Sequence, residues 1–299
     1  MKTLVTGVSR GFGPHLVREL ITHGHEVVLF TRKPSEEFKD HEQIIGDINN
    51  AADCLNAMKG RNIEAIHNVA AMPDPSDWVY WKGNDDPAIY PLTMQTNIIG
   101  LYNMLQAAIR NDIGIFVNTG TNCVYGHGYR VTDRPFEIKY LPIDEDHPFD
   151  IEDSYSFSKR TGENLMEMYT KVFGIRCYSI RSGWIASEQE RKDRINDPKN
   201  MEDIEGLIEW LAAWISAEDL AAAHRLIMEQ ANDIVPFGCY NCMSDDSMFG
   251  KPTMDVIKKY RPDLIPLIRE PLSDYASLFS SKRLKAVVGW HPKVTWLEN

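Results

Sequence analysis

The stretch KTLVTGVSRGFGPHLVREL, residues 2–20, joins an apolar strand pattern to a helical pattern through a turn that contains three glycines. Gly7, Gly11 and Gly13 allow the backbone to turn tightly and to approach a pyrophosphate, while the N–H groups at the start of the helix face the anion. Their spacing is GxxxGxG, which differs from the GxGxxG of the common dinucleotide fingerprint. A tight strand-to-helix connection can also use glycine for steric reasons alone. The strand before and the helix after favour a dinucleotide-binding turn.

Beyond this turn, strand-like and helix-like patterns alternate through the first half of the chain. Apolar runs predict further strands at HEVVLFT, EQIIGDI, IEAIHNVAA, IGIFVNTGT and IRCYSIRSG. Such alternation is typical of an α/β fold in which crossover helices link parallel strands. We therefore predict a Rossmann-type, doubly wound parallel sheet that binds its ligands at the carboxyl ends of the strands.

The pattern changes after about residue 182, which suggests a second, smaller unit. We predict a dinucleotide-binding Rossmann domain in residues 1–180, to which residues 217–236 return as a helix. Residues 181–216 and 237–299 are predicted to form a small C-terminal substrate-binding lobe. The charged run SEQERKDRINDPKNMEDIEG, residues 187–206, is poor in apolar residues and is expected to form a loop or lid over the site.

The composition of the chain argues against several classes of protein and of binding partner. The chain has 299 residues and a formal net charge of -11 at pH 7, which argues against a general nucleic-acid binder. No apolar run is long enough to span a membrane, and the N-terminus lacks the apolar core of a signal peptide, so a cytoplasmic location is expected. CYNC at residues 239–242 has CxxC spacing, but no second cysteine pair or His cluster accompanies it, and the histidines show no metal-ligand spacing, so we expect no metal.

The segment SYSFSK, residues 154–159, places Tyr155 four residues before Lys159, so the two side chains share one face of a helix. Such a pair could be an ordinary surface contact. It could also be an acid/base pair, because a free tyrosine, with a pKa of about 10, is a poor base at neutral pH and a nearby ammonium favours its phenolate. The glycine turn upstream favours the catalytic interpretation.

The combination of TGxxxGxG near the N-terminus with YxxxK near mid-chain resembles the extended short-chain dehydrogenase/reductase superfamily, that is, the NAD-dependent epimerase/dehydratase family. HNVAA, Asn97 in QTNIIG, TGTNCVYG, PIDEDHP, WISAEDLAAA and VVGWHPK resemble further segments of that family, so the likeness covers nearly the whole chain. It implies a catalytic set of Thr121, Tyr155 and Lys159, in which the lysine also holds the nicotinamide ribose. It also implies hydride transfer between a nicotinamide cofactor and a secondary alcohol or ketone of a sugar, sugar acid or nucleotide sugar, in an oxidoreductase or epimerase.

The turn and the resemblance together predict how the cofactor is bound. The second strand ends in Thr31, followed by Arg32 and Lys33, at the place where an acidic residue would bind the ribose 2′-hydroxyl of NAD. Because basic residues there accommodate a 2′-phosphate, and Arg10 adds another cation, we predict NADP in preference to NAD. The predicted cofactor-binding residues are Gly7, Ser9, Arg10, Gly11, Phe12, Gly13, Thr31, Arg32, Asp47 (by the adenine), Ile48, Asn68, Val69, Ala70, Tyr155, Lys159 and Ser182.

Four residues are predicted to contact the substrate: Asn122, Cys123, Arg191 and Arg194. The layout of IRSG, the arginine-bearing run and WISAEDL resembles that of uronate dehydrogenases, in which a loop arginine binds the substrate carboxylate. Arg181, at the end of the sixth strand, is placed to reach the same mouth. Cys123 departs from the histidine of those enzymes, and no acidic pair follows the catalytic hydroxyl, which disfavours dehydration. Arginines on a solvated loop are the alternative.

Two classes of function remain open. One is a nicotinamide-dependent enzyme acting on a small, sugar-like molecule, with a uronate-type dehydrogenase as one form of it. The other is a non-catalytic NADP-binding regulatory protein that keeps the fold. The intact Thr-Tyr-Lys set favours the enzyme. A homodimer is expected through the helix after Pro91 and the helix of Tyr155, because both carry apolar residues on more than one face.

Overall fold

A seven-stranded parallel sheet forms the centre of the protein in a computed structural model, which describes residues 1–77, 86–197 and 203–297. The strands are β1 (Lys2–Thr6), β2 (Glu26–Thr31), β3 (Gln43–Ile45), β4 (Ala65–Asn68), β5 (Ile115–Thr121), β6 (Arg176–Ser182), β7 (Trp184–Ala186), β8 (Trp214–Ser216) and β9 (Phe237–Cys242). The order in the sheet is β3-β2-β1-β4-β5-β6-β9, and β7 pairs with β8 outside it. The predicted doubly wound α/β fold is confirmed.

Helices follow most of the strands. They are α1 (Phe12–Thr22), α2 (Ala51–Met58), α3 (Leu101–Arg110), α4 (Ser154–Phe173), α5 (Glu188–Asn196), α6 (Ile204–Glu209), α7 (Ala217–Glu229), α8 (Thr253–Tyr260) and α9 (Lys282–Val288). A helical turn (Leu92–Met94) and a π-helical stretch (Gln95–Gly100) lead into α3, and 3-10 turns occupy Asn122–Tyr125 and Pro262–Leu267. No helix within the described part of the chain has the length and apolarity needed to cross a membrane.

Both faces of the sheet are covered by helices. On one face, α1 and α7 pack through residues such as Leu16 and Leu220, which belong to one buried apolar cluster. On the other face, α2, α3 and α4 contribute Met104 and Met166, among others, to a second cluster. Because the strands between these layers are buried on both sides, they appear in the sequence as nearly continuous apolar runs.

The strand order reverses beside β1, which pairs with β2 on one side and with β4 on the other. In an open α/β sheet, ligands bind in the crevice at the carboxyl ends of the strands where the order reverses. The glycine turn follows β1 at this point, and Thr121 ends β5 two strands away. The topology therefore brings the predicted phosphate-binding turn and the predicted catalytic hydroxyl to the same edge of the sheet.

The predicted boundary of the small lobe needs a correction. Residues 237–242 form β9 and pair in parallel with β6, from Cys177↔Phe237 to Ser182↔Cys242, so they extend the main sheet instead of belonging to the lobe. β6 itself runs to Ser182, beyond the predicted limit at residue 180. Cys239 and Cys242 are free thiols three residues apart on this strand, and within the described residues no group of three or more His, Cys, Asp or Glu side chains could hold a metal ion.

The charged run after β7 is helical, contrary to the prediction of a loop. α5 begins with a capping box, in which Ser187 and Glu190 satisfy each other's backbone N–H groups, and the Glu188–Lys192 ion pair spans one turn. These local contacts stabilise a helix that has few apolar residues. Residues 198–202 of the run lie outside the described residues. The lobe has a core of its own around Trp214 and Trp296.

Candidate active site

The glycine turn between β1 and α1 leaves no space for side chains at two of its three glycines. A Cβ added to Gly7, which has φ +71°, would lie 2.6 Å from the backbone nitrogen of Ala70, and one added to Gly13 would lie 2.2 Å from the carbonyl oxygen of Gly7. Gly11 has φ +59°, a conformation that costs other residues energy. No side chain caps the N-terminus of α1, so its first N–H groups remain available to an anion. Ser9 and Arg10 are exposed in the turn, and Phe12 is buried beneath it.

A polar network fixes the ends of β1, β4 and β5 against each other. The Thr6 hydroxyl donates to Oδ1 of Asn68 at 3.0 Å and accepts from the backbone N–H groups of Val69 and Ala70, each at 3.0 Å. The Asn68 amide donates to Oδ1 of Asn118 at 2.9 Å. These bonds hold the backbone after β4 close to the glycine turn, which places the predicted cofactor residues of both segments side by side.

The ends of β2 and β3 carry the residues predicted for the adenosine half of the cofactor. Thr31 is buried and donates its hydroxyl to the carbonyl of Lys33 at 3.0 Å, whereas Arg32 and Lys33 are exposed. Asp47 follows β3 and accepts from the backbone N–H of Asn49 at 2.9 Å, and Ile48 beside it is buried. The two exposed cations therefore lie just beyond the strand end at which the second phosphate was predicted.

Tyr155 and Lys159 lie one turn apart near the start of α4, as predicted. Lys159 is 9% exposed as a residue. Its ammonium donates to the carbonyl of Thr119 at 2.9 Å and lies 5.8 Å from the centroid of the Tyr155 ring. Burial lowers the pKa of Lys159 to about 8. Burial raises the pKa of Tyr155, and the influence of the Thr121 hydroxyl opposes only part of this effect. The predicted lowering of the Tyr155 pKa is therefore not found, because loss of solvent around the phenol is the largest influence on it.

Thr121 ends β5 and begins the short 3-10 turn that carries the residues predicted to contact the substrate. Its hydroxyl accepts from the backbone N–H of Cys123 at 3.2 Å, and the nearby Tyr155 phenol feels its influence as a lowering of the Tyr155 pKa. Asn122 and Cys123 are each 5% exposed, and burial raises the pKa of the Cys123 thiol to about 12, so this thiol is neutral. Ser182, at the end of the neighbouring β6, is also buried. The structure thus brings the three predicted catalytic groups together.

Asn97, in the π-helical stretch, ties α4 to the segment after β4. Its amide donates to the carbonyl of Met72 at 3.0 Å and to the hydroxyl of Ser158 at 2.9 Å, while its Oδ1 accepts from the N–H of Met72. Ser158 in turn donates to the carbonyl of Tyr155 at 2.7 Å. The start of the Tyr155 helix is thereby held in place next to the strand ends.

Arg181 does not reach the mouth of the site, contrary to expectation. It is 2% exposed, and its guanidinium forms a bidentate ion pair with Glu163 of α4. Successive side chains of a strand point to opposite faces, so Arg181 points under α4 on the face opposite to that of its neighbour Ser182. The arginine belongs to the layer between sheet and helix.

Of the two arginines of α5, Arg191 is placed differently from the prediction, whereas the role of Arg194 stays a prediction. Arg191 is 6% exposed and donates to the carbonyl oxygens of Thr295 and Trp296 at 3.0 and 2.9 Å, so its guanidinium engages the C-terminal segment. Arg194 lies over the ring of Trp184, with 5.3 Å between the guanidinium carbon and the ring centroid. These contacts do not support a substrate-binding role for Arg191.

An aromatic wall beside Tyr155 was missed by the sequence analysis. The ring of Tyr129 meets that of Tyr155 edge-on at 5.7 Å, and Trp210 of the small lobe meets Tyr129 edge-on at 5.2 Å. A Cβ on Gly128 would lie 2.5 Å from the Trp210 ring, so glycine allows this approach. Trp210 is 38% exposed. The wall joins residues from separate segments, and no local pattern in the sequence marks it.

Comparison with known proteins decides the family. The model of the NAD dependent epimerase/dehydratase family matches residues 3–242, which include every element of the main sheet. The chain belongs to this family. The predicted family is confirmed.

Proteins similar in sequence to this chain are named for different activities. GDP-mannose 3,5-epimerase 1 of Oryza sativa subsp. japonica is 26% identical over 181 residues, which cover 59% of this chain and 44% of that protein. L-arabinose 1-dehydrogenase (NAD(P)(+)) of Haloferax volcanii is 26% identical over 230 residues, which cover 75% of this chain and 81% of that protein. A structure of the Thermus thermophilus UDP-glucose 4-epimerase with NAD is 20% identical, with a TM-score of 0.67 over 99% of this chain and 95% of that one, and shows the shared fold. The chain spans about half the length of the epimerases it matches in sequence.

Proposed function

We propose that this family member catalyses NAD(P)-dependent hydride transfer at a secondary alcohol or ketone of a sugar or sugar derivative. The proposal rests on one observation above all: the Lys159 ammonium, anchored on the Thr119 carbonyl at 2.9 Å, lies 5.8 Å from the centroid of the Tyr155 ring, and the Thr121 hydroxyl lies near the same phenol. Such a reaction needs a hydroxyl, a phenol and an ammonium close together around the reacting oxygen. The bound nicotinamide supplies the hydride or accepts it.

Each of the three residues has a distinct task in this proposal. Thr121 hydrogen-bonds the reacting oxygen and orients it. Tyr155 moves the proton at that oxygen, and because its pKa is raised, the neutral phenol is the form present at rest and is ready to donate a proton to a ketone. In the direction of oxidation the base is the phenolate, so the phenol must first give up its own proton to solvent, and the positive charge of Lys159 favours that phenolate. Lys159 would also hold the ribose hydroxyls of a bound cofactor.

For the cofactor we propose NADP in preference to NAD. In support, Thr31 stands where an acid would bind the 2′-hydroxyl, and the exposed cations Arg32, Lys33 and Arg10 surround the strand end. The Thermus structure contains NAD, so NAD is the cofactor against which this preference must be measured. The glycine turn, Asp47 and Ile48 would hold the pyrophosphate and the adenosine.

For the substrate we propose a free, uncharged sugar that is oxidised at one hydroxyl. Arg181 and Arg191, which were expected to bind an anionic group, are engaged by Glu163 and by backbone carbonyls. The half-exposed wall of Tyr129 and Trp210 offers an apolar face against which a sugar ring can pack. The Haloferax sugar dehydrogenase also matches more of this chain than the rice nucleotide-sugar epimerase does. Nucleotide-sugar epimerisation is the second candidate, favoured by the names of several relatives.

We also propose that the protein is a homodimer. Large apolar side chains are exposed on the two predicted helices: Leu92, Ile99 and Tyr102 on and before α3, and Phe157, Met168, Val172 and Phe173 on α4. Both helices lie on the same face of the sheet, so these side chains can form one surface that a second copy covers.

The experiment that tests the function is a panel of cofactor-reduction assays on aldoses, uronates and UDP- and GDP-sugars, with NADP and NAD, followed by product analysis for epimers. Reduction of NADP by a free sugar is the expected result, and the Tyr155→Phe variant is the matched control. Epimerisation without net cofactor reduction would favour the second candidate. NADPH binding without turnover of any member of the panel would instead favour the non-catalytic regulator.

A further inference from the structure

A buried ion pair lies one helical turn beyond Lys159. Tyr155, Lys159 and Glu163 are spaced four residues apart along α4, so all three side chains lie on one face of the helix. Glu163 is 1% exposed, and Arg181 of β6 is 2% exposed. The guanidinium donates from Nε to Oε1 and from its NH2 group to Oε2 of Glu163, both at 2.8 Å. This is the bidentate geometry of a strong charge-assisted pair.

Two further donors complete the surroundings of the Glu163 carboxylate. Arg160 donates to Oε2 at 3.0 Å, and the Ser179 hydroxyl donates to Oε1 at 3.2 Å. Burial by itself would raise the pKa of Glu163, but the bonds and charges of Arg181 and Arg160 prevail and hold that pKa below its usual value. Glu163 is therefore a fixed negative charge in the layer between α4 and the sheet.

Arg181 is itself held from the side away from Glu163. Its NH1 group donates to the Tyr125 hydroxyl at 2.9 Å, and this hydroxyl donates to Oδ1 of Asn241 on β9 at 2.8 Å. The Asn241 amide then donates to the carbonyls of Ile143 and Ser280 at 3.3 and 3.2 Å. The chain of bonds runs from α4 across β6 to β9, so it fixes the position of the ion pair from three elements.

We propose that Glu163 is a positioning residue for the reaction: its carboxylate supplies the counter-charge one turn behind Lys159 and keeps Lys159 charged beneath Tyr155, while Arg181 fixes Glu163. The inference rests on the role proposed above for Lys159. Replacing a buried ion pair by uncharged residues of similar size often costs a protein no stability. Stability alone therefore does not explain the Arg181–Glu163 pair, whereas a task in the active site does.

The surroundings of Lys159 explain why a counter-charge is needed. The groups that face its ammonium are the Thr119 carbonyl, the Tyr155 phenol, the neutral Cys123 thiol and Glu163. Burial lowers the pKa of Lys159 to about 8, and the carboxylate of Glu163 is the strongest influence in the opposite direction. Cys239, Arg160 and Arg181 lie around Glu163 on its far side. Without the carboxylate, the pKa of Lys159 would fall further.

The test measures how NADPH binding depends on pH in two variants that both lack Arg181. Arg181→Met retains Glu163, whose carboxylate still accepts from Arg160 and Ser179, and Glu163→Gln/Arg181→Met removes the carboxylate without leaving a buried arginine unpaired. The dissociation constant of NADPH is determined by its fluorescence from about pH 6 to about pH 10, the range in which a lysine with a lowered pKa titrates. Thermal melting shows that each variant is folded. Tyr125→Phe, which alters the far end of the same network, serves as the structural control.

We expect affinity for NADPH to fall as the pH rises through the titration of Lys159, both in the wild type and in Arg181→Met. In the double variant the midpoint of this fall should lie about one pH unit lower, a tenfold change in the proton dissociation constant. Tyr125→Phe should keep the wild-type midpoint. Equal midpoints in the two Arg181→Met variants would overturn the inference.

Two further variants keep the result interpretable. If the double variant does not fold, Glu163→Gln alone, whose amide oxygen still accepts a bond from Arg181, carries the same expectation, and an unchanged midpoint there would also overturn the inference. Lys159→Met should remove the pH dependence altogether. If Lys159→Met instead keeps the wild-type midpoint, the role proposed for Lys159 fails, which is a different outcome from failure at Glu163 alone.

Discussion

Substitution of Gly13 by alanine should abolish tight cofactor binding because the added Cβ would collide with the backbone of the glycine turn. The added Cβ would lie 2.2 Å from the carbonyl oxygen of Gly7 and 2.8 Å from the Cα of Val8. The first distance is about 1.3 Å shorter than the separation of about 3.5 Å at which non-bonded heavy atoms begin to attract. Both neighbours are backbone atoms, so relief requires α1 to move away from β1.

A shift of that size would remove the N–H groups at the start of α1 from the cofactor phosphates. A hydrogen bond to a charged group contributes about 1.5–3 kcal/mol, so each bond lost should weaken binding roughly 10- to 150-fold. The assay is titration with NADPH and NADH, with thermal melting of the free protein alongside. We expect the affinities for both cofactors to fall together, since both carry the pyrophosphate.

Gly24→Ala is the matched control at the other end of α1. Gly24 has φ +79°, and a Cβ there would meet nothing within 4 Å. This variant should lose about 1 kcal/mol of stability through backbone strain and keep its cofactor affinity. Wild-type NADPH affinity in a folded Gly13→Ala variant would refute the phosphate-binding assignment of the turn.

The remaining predictions concern the reacting groups, the cofactor, the assembly and the aromatic wall. Tyr155→Phe should lower turnover more than tenfold and leave NADPH affinity nearly unchanged; residual activity above a tenth of wild type would contradict the acid/base role. Arg32→Ala should weaken NADPH by about 1.5–3 kcal/mol, the worth of one charge-assisted bond, and NADH by less; equal losses, or a wild type that prefers NAD, would speak against the NADP preference. Light scattering should give twice the chain mass of 34.2 kDa, and Ile99→Asp should give the monomer; a wild-type monomer would exclude the dimer. Trp210→Ala should raise KM for the sugar at unchanged NADPH affinity, and an unchanged KM would remove the wall from the substrate site.

The parts of the molecule that local patterns could predict are those that depend on short-range periodicity. The turn after β1 and the strands through β6 follow from apolar runs and glycine positions, and the Tyr155–Lys159 contact follows from helical spacing. β9 was assigned to the wrong unit because most of its residues, Gly238, Cys239, Asn241 and Cys242, are polar or small. Its place as the seventh strand, at the edge of the sheet, is decided by pairing with β6. Long-range pairing of this kind leaves little trace in the residues themselves.

For Arg181, the prediction of the strand was correct, but the predicted direction of the side chain was wrong. Its position at the end of β6 suggested the mouth of the site, but the two-residue alternation of a strand turns it to the face covered by α4. Extending the Tyr155–Lys159 spacing by one more turn would have pointed to Glu163 as the group waiting on that face. Tyr129 and Trp210 offered no such signal, because their contact joins a loop of the Rossmann domain to a helix end of the lobe.

Positive charge at the site is provided in two ways that suit two different tasks. Arg10, Arg32 and Lys33 are exposed, where solvent and salt weaken any attraction, so they can add selectivity for a second phosphate without trapping the cofactor. Lys159 is buried, where its charge is costly to keep, since burial already lowers its pKa to about 8. A buried cation that must stay charged needs a counter-charge that cannot rotate away or take up a proton. The bidentate bonds between Arg181 and Glu163 meet that requirement, so in the reaction that we propose the charge of Lys159 is maintained from beneath the helix and not from the open side of the pocket.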